Sequence, residues 1–279
     1  MQADPMNEEH SLIDSALSGN SKALENLIAG VQKKIFNLSL RFLWDPMDAE
    51  DASQEILIKA VTHLDSFQKQ SSFATWVHRI AVNHLIEFKR KTAKLSRINF
   101  AIAGRELKKQ EAPPAEMDED EITETAAKVK TACTFGMLQC LKPESRMAFV
   151  LGTVFETDSE EGSEILGISA SAFRQRVSRA RRKLEDFIFS RCSVVNHSAP
   201  CRCTGRITPG LRNSTLQPYL NLAEQLEEKG KNSELFFYEK EIRRTEKVMA
   251  LYKRASQYPA PANIQNRIKK LFSDSTLYK

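Results

Sequence analysis

The stretch SEILGISASAFRQRVSRARRKLEDFIF, residues 163–189, decides the fold. One helical pattern ends at Gly167, which permits a turn, and a second begins after Ser169, a favourable N-cap residue. Apolar residues in the second helix recur at steps of three and four, at Phe173, Val177, Ala180, Leu184 and Phe187 or Ile188. Two helices joined by a tight turn indicate a helix-turn-helix.

The other face of this second helix is strongly basic. Arg and Lys fill six of the ten positions from 174 to 183. A positive helix face suits the DNA major groove, where Arg and Gln read base edges and cations neutralise phosphate. A plain solvated surface helix is the alternative, and the preceding turn argues against it. The candidate DNA-reading residues are Ser169, Ser171, Arg174, Gln175, Ser178, Arg179 and Arg182.

Residues 48–67 carry an acidic helix face inside a basic protein. Asp48, Asp51 and Glu55 share one face, and apolar residues occupy another. Like charges at this spacing slightly destabilise an isolated helix, so we expect a basic protein partner. A simple solvated face is the alternative.

Residues 71–91 interleave aromatic and basic side chains. This combination is typical of single-stranded DNA binding, where bases stack on aromatic rings and cations hold the backbone. The alternative is that the aromatic residues, Trp76 and Phe88 included, belong to the core. The candidates are Ser71, Ser72, Phe73, Trp76, Arg79, Asn83, Lys89 and Arg90.

These patterns predict an all-α protein with two helical domains. Helical spacing from residue 12 to 97, with breaks at Gly30, Asp45-Pro46 and residues 68–72, predicts four helices in the first domain, residues 1–97. A second helical unit follows at 131–190. Residues 111–124 hold seven acids and no base, so we expect an acidic flexible linker at 98–130.

Composition excludes several classes of protein. The chain has 279 residues, 41% of them hydrophobic, and a formal net charge of +5, which excludes collagen-like and fully disordered chains. Five cysteines are too few for a disulfide framework and favour a reducing compartment. With no visible export signal and no apolar run of about 20 residues, we expect a cytoplasmic protein that does not enter a membrane.

A short segment at 191–206 is rich in potential metal ligands. Cys192, His197, Cys201 and Cys203 have the spacing C-x4-H-x3-C-x-C, which would suffice for zinc, and Cu(I) would also suit this set. Redox sensing and reduced, inert thiols are the alternatives.

The tail, residues 207–279, has a charged helical pattern. We expect it to form a helical C-terminal extension whose buried positions are Leu222, Leu226, Ile242, Val248, Leu251, Ile264, Ile268 and Leu271.

The order of these features resembles the sigma-70 family of bacterial RNA polymerase initiation factors, in its short extracytoplasmic-function (ECF) form. DPMDAEDASQEILIKAVTHLDSF with QSSFATWVHRIAVNHLIEFKRK is similar to the family's region 2. LKPESRMAFVLGTVF with SEILGISASAFRQRVSRARRKL is similar to region 4. The resemblance covers roughly residues 12–190, and Gly162 and Gly152-Thr153 depart from it.

The resemblance implies a sigma factor that binds core RNA polymerase and promoter DNA and is not an enzyme. Docking on the clamp helices of the largest polymerase subunit would use Asp48, Asp51, Gln54 and Glu55. The candidates in 71–91 would melt and read the minus-10 element, and those in 169–182 would read the minus-35 element. No cofactor is required, although the Cys-rich segment could hold zinc.

The extension suggests regulation. We hypothesise that the Cys-rich segment and the tail modulate promoter or polymerase binding in place of a separate anti-sigma factor. An anti-sigma factor as a partner and self-inhibition by the C-terminal extension are the two alternatives for this regulation. A stand-alone helix-turn-helix regulator, metal- or redox-responsive through its cysteines, is the alternative function. An enzyme centred on the cysteines is a weaker one, because no Ser/His/Asp set, phosphate-binding loop or HExxH helix is present.

Overall fold

A computed structural model describes residues 5–91, 98–212, 217–218, 221, 244–253, 257–261 and 263–264. Helices form the regular structure of this part of the chain, which confirms the all-α prediction. One isolated bridge pairs Cys192 with Cys201. In the same ranges no helix is both long enough and apolar enough to cross a membrane.

The first unit is a bundle of four helices. They are α1 (Pro5–Leu17), α2 (Ser21–Leu43), α3 (Pro46–Thr62) and α4 (Phe73–Lys91), with a 3-10 turn at Leu64–Ser66. The side chains of Asn20 and Asp45 accept hydrogen bonds from the first backbone N–H groups of α2 and α3, which fixes where these helices begin.

The break predicted at Gly30 is wrong. Gly30 lies inside α2, exposed to solvent, and the break falls at residues 18–20, where Gly19 has a φ of 92°. A helix tolerates a glycine at a cost of about 1 kcal/mol. A left-handed backbone conformation such as that of Gly19, in contrast, strongly favours glycine.

Residues 98–130 are more ordered than a flexible linker. They contain α5 (Phe100–Glu106) and the start of α6 (Glu119–Leu138), which runs through the expected boundary at 130/131. Asp118 and Glu121 form a capping box at the start of α6. The acidic stretch therefore begins a helix whose later residues are buried, and the prediction of a solvated linker is wrong there.

The second unit contains the predicted helix-turn-helix. It comprises α7 (Pro143–Phe149), a π-helical turn (Val150–Val154), α8 (Ser159–Leu166) and α9 (Ala170–Phe189). Gly167 has a φ of 60°, and the Ser169 side chain accepts a hydrogen bond from the Ala172 N–H. The whole predicted apolar stripe of α9 is buried.

The C-terminal part adds a 3-10 turn (Thr204–Arg206), α10 (Ile207–Arg212) and α11 (Arg244–Lys253). The expected burial of Val248, Leu251 and Ile264 is confirmed. Leu222, Leu226, Ile242, Ile268 and Leu271 lie outside the described residues.

The buried side chain of Arg146 joins the two units. Its guanidinium donates hydrogen bonds to the carbonyl oxygen of Phe42 at 2.6 Å and to Gln139 Oε1 at 2.6 Å, and to the carbonyls of Leu138 and Leu141. Burial lowers the pKa of Arg146 to about 10. Arg146 thus donates to carbonyls at the C-terminal ends of both α2 and α6. The Phe42 carbonyl also accepts from Gln139 Nε2, and the Leu138 carbonyl also accepts from the Leu141 N–H.

Candidate functional site

The acidic face of α3 is exposed as the sequence predicts, with one exception. Asp48, Asp51 and Glu55 are exposed, whereas Gln54 is buried and is excluded as a docking residue. The Gln54 amide points toward Glu50 Oε1, 3.4 Å away. Sequence reasoning missed Met47, whose side chain is 77% exposed beside these acids. An exposed methionine is a signal of a binding surface because it adapts readily to partners.

Neighbouring charges act on this face. Partial burial and repulsion from Asp45 and Asp51 raise the pKa of Asp48, and Lys89 opposes the shift. The pKa of Lys89 is itself lowered by burial and by Arg146. Lys89 therefore lies near the acidic face, ten residues and about 15 Å along α4 from Arg79.

Phe73 is wrongly predicted as a DNA-stacking residue. It begins α4 and is buried, with its ring 6.1 Å from that of Phe67 and 5.8 Å from that of Trp76. Trp76 is half-buried in the same cluster. For Phe73, the alternative that the aromatic residues of this segment belong to the core is therefore the correct one.

The polar start of α4 is built around two hydroxyl groups. Ser72 Oγ accepts a hydrogen bond from the Thr75 N–H at 3.1 Å and lies 2.8 Å from Thr75 Oγ1. Ser72 thus has a structural role as a helix cap, which the sequence analysis did not assign. Ser71 is half-buried beside it, and Arg79, Asn83 and Arg90 are exposed farther along α4.

His78 lies inside the contact between α4 and the second unit. Its ring centroid is 6.1 Å from that of Phe155, and the residue is buried. Burial, followed by the positive charge of Lys34, lowers the pKa of His78 to about 4, and Glu161 opposes the shift. The imidazole is therefore neutral near pH 7.

All seven candidate residues at the start of α9 are exposed. They share one surface of α9, because the apolar stripe on the other side of this helix packs into the core. Arg174 donates to Ser159 Oγ at 3.0 Å, which ties the start of α9 to α8. Arg181 is different, since it donates to Thr153 Oγ1 at 2.9 Å and to the Gly152 carbonyl at 3.0 Å. Arg181 therefore holds α9 on the π-helical turn.

The two glycines that depart from the family pattern lie against one ring. A Cβ atom at Gly162 would lie 2.3 Å from Phe173 Cζ, and one at Gly152 would lie 3.0 Å from the same atom. Phe173 fills the space that side chains at these positions would need.

The four predicted zinc ligands do not form a metal site. His197 is exposed, and nowhere in the described residues do three His, Cys, Asp or Glu side chains lie close enough together to hold a metal ion. The three cysteines line a cavity of about 40 Å³ with a fourth, Cys133 from α6. Burial raises the pKa of Cys192 and Cys201, and that of Cys203 to about 12. In the described residues these four side chains are therefore not grouped around a common point, and zinc binding by the Cys-rich segment stays a prediction.

Two family models match this chain. Sigma-70 region 2 matches residues 27–95, and sigma-70 region 4 matches residues 135–184. The first covers α3 and α4, and the second covers α7 to α9 through Leu184.

Curated relatives are matched over about nine-tenths of their own length. The RNA polymerase sigma-H factor of Pseudomonas aeruginosa is 28% identical over 186 residues, covering 64% of this chain and 92% of the relative. The ECF sigma factor SigW of Bacillus subtilis is 28% identical, covering 62% and 92%. The ECF sigma-E factor of Escherichia coli K12 is 29% identical, covering 63% and 91%.

Two solved structures also match. CnrH in complex with the cytosolic domain of CnrY is 25% identical, with a TM-score of 0.45 over 64% of this chain and 96% of that one. RpoE in complex with the anti-sigma factor NepR from Bartonella quintana is 22% identical, with a TM-score of 0.40 over 58% and 93%.

The two family models and the named relatives agree with one another and with the predicted order of domains. The chain therefore carries sigma-70 region 2 in residues 27–95 and sigma-70 region 4 in residues 135–184, and it is similar to curated ECF sigma factors over 62–63% of its length.

Proposed function

We propose that this protein is a sigma factor that binds core RNA polymerase and directs promoter-specific initiation of transcription. The observation that carries the proposal is the presence of region 2 and region 4 in one chain and in this order. The proposed work takes place on promoter DNA in the cytoplasm and at the nucleoid, and it requires no catalytic step from this chain's own residues.

Docking on polymerase would use the acidic face of α3. Asp48, Asp51 and Glu55 offer three exposed carboxylates beside the apolar side chain of Met47. Such a face suits a basic surface with an apolar centre, because charge complementarity speeds association and an apolar contact adds affinity. The clamp helices of the largest polymerase subunit are the proposed partner.

Reading of the minus-10 element would use the exposed side of α4. Arg79, Asn83 and Arg90 can hold a single strand by its phosphates and by the edges of unstacked bases. Taking a base out of the duplex costs a few kcal/mol, which contacts to protein and polymerase must offset.

Reading of the minus-35 element would use the exposed side of α9. The helix starts at a capped turn and presents Arg174, Gln175 and Arg179 ahead of further cations. Side chains at the start of a recognition helix reach base edges in the major groove.

Run-off transcription with purified core polymerase and the full-length protein on pooled genomic promoters tests this proposal. We expect promoter-specific transcripts. The double substitution Asp51→Asn with Glu55→Gln should weaken binding to core polymerase and reduce the transcripts at limiting sigma concentration.

Asp65→Asn is the matched control, because Asp65 is an exposed acid just beyond α3 and outside the proposed docking face. It should behave like the wild type. Intact DNA binding with no transcripts and no association with core polymerase would instead support the stand-alone regulator.

A further inference from the structure

The surface of α4 that carries the minus-10 candidates is in contact with region 4. The Thr75 hydroxyl donates a hydrogen bond to Glu161 Oε1 of α8 at 2.8 Å. Farther along α4, Arg79 Nη1 lies 3.8 Å from Glu164 Oε1 of the same helix. Two carboxylates of region 4 thus face a polar hydroxyl and a cation of region 2.

These carboxylates occupy positions where DNA would need access. The Arg79 guanidinium is a candidate phosphate ligand, and the carboxylate 3.8 Å from it offsets the positive charge that would attract a phosphate. The exposed carboxylate of Glu164 on α8 would also repel a DNA backbone that approached this part of α4.

The span of a promoter shows that this arrangement cannot be the working one. Elements centred 10 and 35 base pairs before the start site are about 25 base pairs apart, which is about 85 Å along B-DNA. Helices α4 and α8 touch each other here, so the surfaces of regions 2 and 4 cannot reach both elements at once. The two regions must separate before both elements are bound.

A C-terminal segment ties the two regions together. We call residues 244–253, 257–261, 263 and 264 the strap. In region 4, the buried ring of Tyr252 packs edge-on against Phe149, with 5.0 Å between centroids. In region 2, the Asn37 side chain pairs with the backbone of Tyr258. Its Nδ2 donates to the Tyr258 carbonyl at 2.6 Å, and its Oδ1 accepts from the Tyr258 N–H at 3.0 Å.

The far end of the strap lies on the proposed polymerase-docking helix. The Asn263 side chain donates a hydrogen bond to Glu50 Oε1 of α3. Glu50 lies between Asp48 and Asp51 in the sequence, so a partner that binds the acidic face of α3 would meet this end of the strap.

We infer that the free protein is held closed by its own chain: α8 lies against the part of the minus-10 surface of α4 that carries Arg79, the strap joins regions 2 and 4, and docking of polymerase on α3 displaces the strap. This inference deepens the proposed function and rests on it for the identity of the covered surface. The extension thereby does in one chain what a separate inhibitory protein would do.

The α8 contact is tested by Glu164→Gln, Glu161→Gln and the double variant, each in the full-length protein. The matched control is Glu160→Gln, which removes the same charge from the same helix at a residue 4.0 Å from Arg174 within region 4. We measure the radius of gyration by small-angle X-ray scattering and, without polymerase, the affinity for a single-stranded oligonucleotide carrying a minus-10 sequence from the run-off promoters.

We expect the double variant to have a larger radius of gyration and at least tenfold higher affinity for the oligonucleotide. Glu160→Gln should match the wild type in both measurements. If the oligonucleotide affinity of Glu160→Gln rises as much as that of the double variant, the cause is the general loss of negative charge, and the inference is overturned. If neither measurement changes, it is overturned as well.

The strap is tested by Tyr252→Ala and Lys253→Ala. Tyr252→Ala removes a buried ring and should open the protein, as the double variant does. Lys253→Ala removes an exposed ion pair with Glu156 and should change little. Unchanged helical content by circular dichroism shows that Tyr252→Ala has released the strap without unfolding the two regions. A Tyr252→Ala protein that keeps its helices and stays as compact as the wild type would overturn the role of the strap.

Run-off transcription separates the inference from the function on which it rests. With saturating core polymerase, the variants should give as many transcripts as the wild type, because polymerase opens the wild type too. Absence of transcripts from every form would refute the proposed function, whereas normal transcripts with no opening in any variant would refute only the closed state.

Discussion

At the residue scale, Phe173 explains two unusual glycines. Its buried ring touches the positions that a Cβ would take at Gly152 and Gly162. Since Gly162 has no other backbone reason to be glycine, its role is to leave room for this ring.

We therefore expect Gly162→Ala to destabilise region 4 by about 1–3 kcal/mol through overpacking. Urea unfolding of the full-length protein measures the change. The control is Gly30→Ala, since a Cβ at Gly30 meets no atom within 4 Å in an exposed helix interior. This substitution should stabilise the protein by up to about 1 kcal/mol. Equal effects of the two substitutions would contradict the role assigned to Phe173.

Arg146 supports a second prediction at this scale. Replacing it with Met keeps an apolar chain of similar length and removes the donors that satisfy the ends of α2 and α6. The Phe42 and Leu138 carbonyls keep a second donor, whereas the buried carbonyls of Gln139 and Leu141 lose the donor that Arg146 supplies. Because each buried carbonyl left without a donor costs about 1–3 kcal/mol, we expect Arg146→Met to destabilise the protein by more than 2 kcal/mol. Thermal unfolding provides the measurement, and a variant as stable as the wild type would show that water replaces the guanidinium.

Some side chains could not be assigned from sequence. Gln54 and Phe73 have types that suit a binding surface, yet both point inward. Periodicity marks which helix face is apolar, but a residue at the edge of that face can point either into the core or to the solvent. Only the packing of α3 and α4 against their neighbours decides it.

At the element scale, the helix-turn-helix was the most predictable feature. Its turn needs a left-handed residue and a cap, and Gly167 and Ser169 supply them two residues apart. Residues 98–130 were less predictable, because their acidic composition hides a capping box and a few small apolar residues that become buried on α6.

The folding stability of the protein should depend on pH through His78, which lies between α4 and the second unit. The pKa of His78 falls from 6.5 in a model peptide to about 4 in the folded protein. As pH falls from 6.5 to 4, the unfolded chain takes up a proton that the folded protein does not, so folding stability declines over this range. The loss is about 3 kcal/mol for a full shift of this size. His84, whose pKa burial and Lys59 also lower, acts in the same direction.

Urea unfolding at pH 7 and pH 5 measures this dependence. His78→Gln carries no titratable group at the position, so its stability should fall less between the two pH values than that of the wild type. The charged groups that act on this site are Lys34 of α2, which lowers the pKa of His78, and Glu161 of α8, which raises it. A variant with the full pH dependence would show that His78 is not its source.

At the scale of the whole molecule, the closed arrangement was beyond sequence reasoning. The pairs that form it, such as Thr75 with Glu161 and Asn37 with Tyr258, lie 86 and 221 residues apart. Each of these residues has an ordinary local role, and nothing in its own neighbourhood shows what it meets across the chain.

Hydrogen exchange should report opening by polymerase. In the free protein, the Tyr258 N–H is held by Asn37, so we expect it to exchange slowly. Adding core polymerase should speed exchange in residues 257–261 by at least tenfold, while amides in α2 stay protected. Unchanged exchange in the bound complex would show that the strap stays in place when polymerase docks.

The strap is synthesised after regions 2 and 4. Regions 2 and 4 are complete once residue 190 leaves the ribosome, and residue 264 follows about 4 to 15 seconds later at usual rates of translation. During that interval each new copy has both promoter-reading surfaces and no strap to join them. Every molecule therefore begins without its strap, and in that interval only direct contacts, such as those of Arg146 with Phe42 and of Thr75 with Glu161, hold the two regions together.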